Sequence, residues 1–325
     1  MPVNYSAERR TIDGIEIVRL TDAANDVVVS ICPSVGNIAY DVRVRGKSIV
    51  MSPQGTLAEW KAKPSQAGIP LLAPWANRID SDTYWVNGKQ FHLNPDLGNL
   101  RRDANGLAIH GLLLFAPDWQ VARLSADETC ALVSGLLDFS KHPQRMAQFP
   151  WAHTIEMTHR LAGGVLEVST AIENHSAEPM PLCIGFHPWY QIPDCPRDQW
   201  SVHLPVRKHY KLSSHFVPTG ETEPVDLPDP AALTGRQLDD VFGDVNHKDE
   251  FWVEGAGRRI SVRFGPKFPI AIAYAPRDRD VICFEPMTAV TNAFKLAHAG
   301  IYKDLPFISP GETWKESFWI RPSGF

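Results

Sequence analysis

Hydrophobic and polar side chains alternate along most of the chain, in short runs that end at glycine, proline, asparagine or aspartate. Successive side chains of a strand point to opposite faces of a sheet, so this period of two predicts strands with one buried face. The pattern predicts at least ten strands. They include residues 26–32, 38–50, 83–93, 129–139, 200–204, 251–264, 270–275, 281–285 and 313–320, together with two strands that flank Gly163.

Two hairpin turns stand out in this pattern. Asn87-Gly88 lies between the apolar runs Tyr84-Trp85-Val86 and Phe91-His92-Leu93, and such a dipeptide favours a two-residue turn because both positions tolerate a positive φ. Gly163-Gly164 separates two longer alternating runs in the same way. We therefore expect antiparallel neighbours that are joined by tight turns.

Helical patterns are weak. Residues 52–62 and 236–242 have short helical spacing and are interpreted as helical insertions in loops. Many strands without intervening helices favour an all-β fold, a large antiparallel β-sandwich. Aromatic and aliphatic residues continue beside the proline-rich connections, so residues 1–325 are predicted to form a single domain.

Composition narrows the functional classes. Hydrophobic residues make up 44% of the 325 residues, with 10 Trp, 15 Phe and 7 Tyr, which is enough for a large core. A net charge of −5 argues against a nucleic-acid partner. The most apolar runs, 71–76 and 112–116, are far shorter than the roughly 20 residues of a membrane span. The first ten residues carry no signal pattern, so we expect a cytoplasmic protein.

Three generic site patterns are weak. The five cysteines are widely spaced without a CxxC, which favours free thiols over disulfides or a zinc site. In His153-x-x-Glu156-x-x-His159 the glutamate would face away from both histidines on a strand, and exposed or half-buried histidines need no metal. Cys183 and His187 suggest a thiol nucleophile with its base, but the apolar run around Cys183 favours a core position.

Four segments place a His, Arg or Glu among apolar residues: 70–79, 105–111, 184–190 and 283–288. A buried polar group needs a partner, a shifted pKa or a cavity. Spacing alone favours structural roles for His110 and His187 over catalytic ones. Glu285 differs, because a carboxylate that interrupts a buried strand is a candidate general base.

In this order the four segments resemble the aldose 1-epimerase (galactose mutarotase) family. The matching elements are PWANRI at 74–79, IHG at 109–111, GFHPWY at 185–190 and FEPMT at 284–288. PSVG at 33–36, LDDVF at 238–242 and SPGE at 309–312 support the likeness, which extends over about residues 30–320. The resemblance implies a β-supersandwich that interconverts the α and β anomers of a free aldose without cofactor or metal.

Site roles follow from the same resemblance. His187 resembles the general acid that protonates the ring oxygen O5, and Glu285 resembles the base that takes the O1 proton. His110 and Arg78 resemble groups that hold the sugar and polarise O5, with Asn77 beside them.

The resemblance also predicts sugar contacts. Asp239 resembles a ligand of a sugar hydroxyl, although the adjacent Asp240 is an open alternative. Aromatic residues in the matching loops are candidates for stacking on a pyranose: Trp75, Phe186, Trp189 and Tyr190. Their other interpretation is as wall or core residues.

The substrate stays open at this point. GFHPWY and the proline after Glu285 are similar to the broad bacterial aldose 1-epimerase-like branch rather than to galactose-specific members. A pentose, galactose or another hexose, or a hexose 6-phosphate fits, and the adjacent Arg101-Arg102 is the candidate phosphate ligand, with a solvated loop as its plainer interpretation. A non-catalytic carbohydrate-binding protein is the alternative from another class. The expected partner is a sugar, and the chain is expected to be a monomer or homodimer.

Overall fold

Strands make up most of the regular structure in residues 4–325, the part of the chain that the computed structural model describes. In chain order they are β1 (Tyr5–Ile12), β2 (Ile15–Asp22), β3 (Val27–Cys32), β4 (Ile38–Val44), β5 (Lys47–Ser48), β6 (Leu71–Leu72), β7 (Arg78–Ile79), β8 (Thr83–Val86), β9 (Lys89–His92), β10 (Ala108–Ile109), β11 (Gln120–Ala126), β12 (Ala131–Asp138), β13 (His153–Ala162), β14 (Val165–Asn174), β15 (Met180–Pro181), β16 (Gly185–Phe186), β17 (Ser201–His203), β18 (Lys208–Leu212), β19 (Pro218–Pro224), β20 (Ala231–Ala232), β21 (Leu238–Gly243), β22 (Phe251–Gly255), β23 (Arg258–Phe264), β24 (Ile270–Ala275), β25 (Cys283–Met287), β26 (Phe307–Ile308) and β27 (Thr313–Ser323).

Three large antiparallel sheets contain most of these strands. The first has the order β1-β2-β3-β4-β5. The second has nine strands in the order β11-β12-β13-β14-β27-β23-β22-β17-β20, and the third has seven in the order β19-β18-β21-β24-β25-β16-β6. The first sheet contacts the β11–β13 end of the second. This antiparallel architecture confirms the predicted all-β sandwich class.

Aromatic side chains join the second and third sheets. The rings of Phe186 and Phe318 lie 4.9 Å apart, and those of Phe251 and Phe284 lie 5.7 Å apart. Strand side chains alternate between faces, so Glu285 points to the opposite face of the third sheet from Phe284. By the same alternation, the side chain of His187 points to the opposite face from that of Phe186. Packing of the phenylalanines thus directs both polar groups away from the sandwich core.

The main hydrophobic cluster consists of buried residues that lie between Val18 and Ile320, along nearly the whole described chain. The prediction of a single domain is not decided by this observation and stays a prediction. All five cysteines are free, as the sequence indicated, and all five are buried.

Both hairpin predictions are confirmed. Strands β8 and β9 pair from Val86 to Lys89 around Asn87 and Gly88, whose φ values are 51° and 76°. Strands β13 and β14 pair in the same way around Gly163 and Gly164. Positive φ at both turn residues is the backbone conformation that these tight turns need.

Three predicted elements were wrong in detail. Residues 38–50 and 251–264 each form a hairpin rather than one strand, with turns at Arg45-Gly46 and Ala256-Gly257. Residues 236–242 are not helical: most of the segment belongs to β21, which pairs with β18 and β24. The spacing of Leu238, Val241 and Phe242 fits a helical turn, and pairing with two strands decides against it.

The α-helices are short. They are α1 (Leu57–Ala62), α2 (Pro143–Met146) and α3 (Ala293–His298), with 3₁₀ turns at Pro95–Leu97, Phe139–Lys141 and Arg197–Gln199. The predicted helix at 52–62 begins only at Leu57, because Thr56 and Glu59 form a capping box there. Within residues 4–325 no helix is both long and apolar enough to cross a membrane.

Candidate active site

A histidine and a glutamate meet on the outer face of the third sheet. Strand β16 pairs with β25 through Gly185 and Met287. This pairing brings His187 Nε2 to 3.3 Å from Glu285 Oε1, and both side chains are almost fully buried. The backbone N–H of His187 donates to Pro70 O at 3.0 Å, which anchors the loop that carries the imidazole.

Burial shifts both members of this pair toward their neutral forms. Burial, with the positive charges of Arg279 and Arg78 added, lowers the pKa of His187 to about 3. Burial raises the pKa of Glu285 well above its ordinary value, and the nearby Asp239 adds to that effect. Two titratable groups this close interact and titrate together, so we treat them as a pair that holds one proton near neutral pH.

His110 lies next to this pair. Strands β7 and β10 pair, and the His110 N–H donates to Asn77 O at 2.9 Å. The His110 and His187 rings are 5.4 Å apart, edge to face. Burial, followed by the charges of His187, Arg78 and Arg101, lowers the pKa of His110 well below its usual value. His110 is therefore a neutral imidazole, able to donate one hydrogen bond and accept another.

Arg78 is held rigidly in the same cleft. Its Nε donates to Asp103 Oδ2 at 2.7 Å, and its terminal nitrogen donates to Asn77 Oδ1 at 3.1 Å. Burial alone would raise the pKa of Asp103, but hydrogen bonds from Arg78 and the Leu107 N–H outweigh burial and lower it. Asp103 is thus the fixed counter-ion of Arg78.

The two adjacent aspartates of β21 have different surroundings. Asp239 lies opposite Tyr274 and lines the cleft, whereas Asp240 lies 3.0 Å from His209 Nε2. Burial raises the pKa of Asp239. Of the two adjacent aspartates, the structure therefore places only Asp239 in the cleft.

The aromatic residues of the matching loops do not act alike. Trp189 lines the cleft and stacks on His187 at 4.6 Å between ring centroids. Three others are fully buried and do not line it: Trp75, Phe186 and Tyr190. Stacking of these three on a sugar was a wrong expectation, and their wall or core interpretation is correct.

Together these side chains line a cleft of about 370 Å³. Its lining includes the predicted acid, base and sugar-holding residues and one of the four aromatic candidates: Asn77, Arg78, His110, His187, Trp189, Asp239 and Glu285. Sequence reasoning missed several others, namely Gln66, Asp103, Tyr274 and Arg279. Of these, only Tyr274 lies in a predicted strand, at 270–275. It pairs with Asp239 of β21, and directly opposite residues of paired strands share a face of the sheet.

Metal-ligating atoms come together at one place in residues 4–325. His187, Cys283 and Glu285 have ligand atoms within 4.8 Å of one another. Burial raises the pKa of Cys283 well above its usual value, so its sulfur is a neutral thiol. The spacing at 153–159 forms no such group, since Glu156 is exposed on the face opposite His153 and His159. Both histidines are buried, contrary to the expectation that they are exposed or half-buried.

Cys183 does not have the surroundings of a nucleophile. It is buried in the main hydrophobic cluster. Burial raises the pKa of its thiol to about 12. A thiol that stays protonated is a poor nucleophile, so the thiol–histidine interpretation is not supported.

Comparison with known proteins assigns the chain to a family. The chain matches the family model for aldose 1-epimerase over residues 24–321. It belongs to the aldose 1-epimerase family. The uncharacterised protein YihR of Escherichia coli K12 is 25% identical over 257 residues, which cover 77% of each chain.

Solved structures agree on the fold of this family member. A galactose mutarotase-like protein from Clostridium acetobutylicum superposes with a TM-score of 0.87 at 22% identity and covers 99% of both chains. A galactose 1-epimerase from Lactobacillus acidophilus has a TM-score of 0.70 at 13% identity and covers 98% of both chains. At these identities the likeness establishes the galactose mutarotase-like β-sandwich fold.

Proposed function

We propose that the chain is an aldose 1-epimerase that interconverts the α and β anomers of an aldose, with Glu285 as general base and His187 as general acid. The contact between the two groups in one cleft carries this proposal. Mutarotation needs a base at O1 and an acid at O5 at the same time. A buried carboxyl–imidazole pair in contact has that capacity.

The reaction is a pair of balanced proton transfers. Glu285 takes the proton from the O1 hydroxyl while His187 gives one to O5, and the C1–O5 bond breaks to leave an aldehyde. Rotation about C1–C2 presents the other face of the carbonyl. Reclosure reverses both transfers. No atom changes oxidation state, so the proposed reaction needs no redox cofactor.

The shared proton suits this cycle. With the cyclic sugar, the reactive form has Glu285 ionised and His187 protonated; with the open sugar, Glu285 is protonated and His187 neutral. These two forms have the same net charge. Burial stabilises the neutral form, and the contact stabilises the charged one. Opposing effects of this kind bring two proton arrangements close in free energy, which is what reversible catalysis requires.

The remaining cleft residues hold the sugar in this scheme. Arg78 and neutral His110 donate toward O5 and stabilise charge that develops there. Asn77 fixes the Arg78 side chain through its Oδ1. Asp239 accepts from a sugar hydroxyl. Trp189 backs the His187 ring by stacking, which limits the rotation of the acid.

Substitution of the pair tests the proposal. We expect Glu285→Gln and His187→Asn each to lower the catalysed rate by about 10²–10⁴-fold, because each removes one proton-transfer group. Polarimetry from pure α-anomers of glucose, galactose and xylose measures the rate above spontaneous mutarotation. Near-ultraviolet circular dichroism checks that each variant is folded.

Near-wild-type rates in either folded variant would overturn the assignment of Glu285 as base and His187 as acid. If the wild-type chain is stabilised by sugars in a thermal melt but catalyses no anomer exchange, it is a carbohydrate-binding protein rather than an enzyme.

A further inference from the structure

The arginines of the cleft fall into two classes. Arg78 and Arg102 already have carboxylate partners: Arg78 binds Asp103, and both terminal nitrogens of Arg102 bind Asp82 at 2.9 Å. Each of these positive charges is balanced inside the protein. The adjacent pair Arg101-Arg102 is therefore not a double cation site, because Arg102 is occupied.

Arg101 and Arg279 have no comparable partner. Among residues 4–325 the Arg101 guanidinium makes no hydrogen bond or ion pair, and it lies 4.9 Å from the centre of the Phe115 ring. Arg279 lies 3.9 Å from the highly exposed Asp278, 3.4 Å from the Tyr274 hydroxyl and 5.1 Å from the Trp189 ring. Two guanidinium groups that line the cleft thus have free donors.

These unbalanced charges act on the reacting groups. Arg101 disfavours protonation of His110, and Arg279 disfavours protonation of His187, the proposed acid. Although Arg101 is exposed as a residue, burial around its guanidinium lowers its pKa. Arg101 is thus an unpaired and partly desolvated cation, and Arg279 is a cation that opposes protonation of the acid. Each of these arrangements has an electrostatic cost. A bound anion would remove that cost.

We infer that the aldose this enzyme turns over carries an anionic group, such as a phosphate, sulfonate or carboxylate, which the free guanidinium groups of Arg101 and Arg279 bind. This inference rests on the proposed function. Planar guanidinium donors match the geometry of such oxyanions and bind them in charge-assisted pairs. By balancing Arg279, the anion also favours the protonated form of His187 that ring opening uses. The substrate thereby supplies the countercharge that the cleft lacks.

A substrate panel tests the inference. Anomer exchange is measured by NMR for glucose, glucose 6-phosphate, 6-deoxy-6-sulfoglucose and glucuronate, each corrected for its spontaneous rate. We expect at least one anionic sugar to have a kcat/KM at least tenfold above that of glucose. Its advantage should shrink in 0.5 M NaCl, because salt screens exposed charges over about a Debye length. The best of the three anions identifies the group.

Variants locate the binding groups. The double variant Arg101→Gln/Arg279→Gln should lower the ratio of anionic-sugar to glucose kcat/KM at least tenfold, and the two single variants divide that loss between the arginines. Arg102→Gln is the matched control, since its guanidinium is paired with Asp82. It should change the ratio less than threefold.

The outcomes separate the two levels of the proposal. If glucose is turned over as well as every anionic sugar, or if the double variant keeps the wild-type ratio, the anionic substrate is wrong and the epimerase function stands. If no sugar shows enzyme-dependent exchange, the epimerase function itself fails.

Discussion

At the scale of single residues, Arg78 depends on Asp103 for its position. The Nε contact of 2.7 Å is shielded, with only 14% and 8% of the two side chains exposed. Asp103 Oδ1 also accepts from the N–H groups of Asn105 and Leu107. Asp103→Asn keeps an oxygen for those loop contacts but removes the charge that holds Arg78.

We expect Asp103→Asn to lower kcat/KM about tenfold with little change in thermal stability. A guanidinium freed from its counter-ion is less well oriented toward the sugar. Initial rates over a range of sugar concentrations separate kcat from KM. An Asp103→Glu variant, which restores the charge, should recover part of the activity. Equal kcat/KM in Asp103→Asn and wild type would show that Asp103 does not position Arg78.

Asp239 offers a prediction about pH. Its negative charge raises the pKa of Glu285, so Asp239→Asn should lower that pKa. Glu285 must be ionised to act as base, and the rate rises with pH as it loses its proton. We therefore expect the acidic limb of the kcat/KM profile to move to lower pH, together with a higher KM from the lost hydroxyl contact.

Asp240→Asn is the matched control for this prediction, since Asp240 contacts His209 instead of lining the cleft. Its pH profile should overlie that of the wild type. A shift of equal size in both variants would contradict a specific effect of Asp239 on Glu285.

Single residues differ in how far the sequence alone could predict them. Glu285 stood out because a carboxylate interrupts an apolar strand, and Asp239 emerged only as one of two neighbours. Arg279 lies in a turn among other charges, where nothing local separates a cleft cation from a solvated one. Its role depends on the Trp189 and Tyr274 rings, which come from the folded chain.

At the scale of elements, the loop that carries His110 rests on a close backbone contact at Gly111. Gly111 has a φ of 66°, and a Cβ there would lie 2.1 Å from Ala73 O. The same carbonyl accepts from the N–H groups of Leu112 and Leu113. Only glycine fits this conformation and this distance.

We expect Gly111→Ala to destabilise the fold by more than about 2 kcal/mol, since it adds both a strained φ and a backbone clash. Urea unfolding followed by tryptophan fluorescence measures the change. Gly106→Ala is the control: its φ is 78°, but no atom lies within 4 Å of the added Cβ. Its free energy of unfolding should fall by about 1 kcal/mol, the cost of a left-handed φ in a residue with a Cβ. Equal midpoints for the two variants would contradict the clash at Ala73.

Elements were predictable where a local signal decides them. Two-residue turns with glycine or asparagine are enough to locate the hairpins at 87–88 and 163–164, because the positive φ that they require is a property of those residues themselves. The segment 236–242 was not decidable locally, because its five apolar and acidic residues at 238–242 suit a helical turn or a strand. Its partners, β18 and β24, lie about 30 residues away on each side.

At the scale of the whole molecule, sheet order brings distant segments together. Strands β21, β24, β25, β16 and β6 are neighbours in the third sheet although they span residues 71–287. No pattern of alternation gives this order. The resemblance of four motifs to one family predicted the sandwich class but not this strand order, and the comparison confirmed the family over residues 24–321.

His159, in the core, makes the stability of the fold depend on pH. This side chain is fully buried on β13 opposite Val133 and Val168, and neither ring nitrogen has a partner among the described residues. Burial lowers its pKa from 6.5 to about 4. The unfolded chain therefore binds a proton between these two pH values that the folded chain does not. Stability is full above about pH 6.5 and falls as the pH decreases toward 4.

His159→Leu removes the titratable imidazole and puts an apolar side chain of similar length in this apolar site. We expect the wild type to lose about 2 kcal/mol of unfolding free energy between pH 7.5 and pH 5 through His159. Over the same pH interval, the free energy of unfolding of the variant should fall by about 2 kcal/mol less than that of the wild type. Urea titrations at the two pH values measure the difference, with the exposed His215→Gln variant as control. Parallel losses in wild type and His159→Leu would show that His159 is not the group that makes the core sensitive to acid.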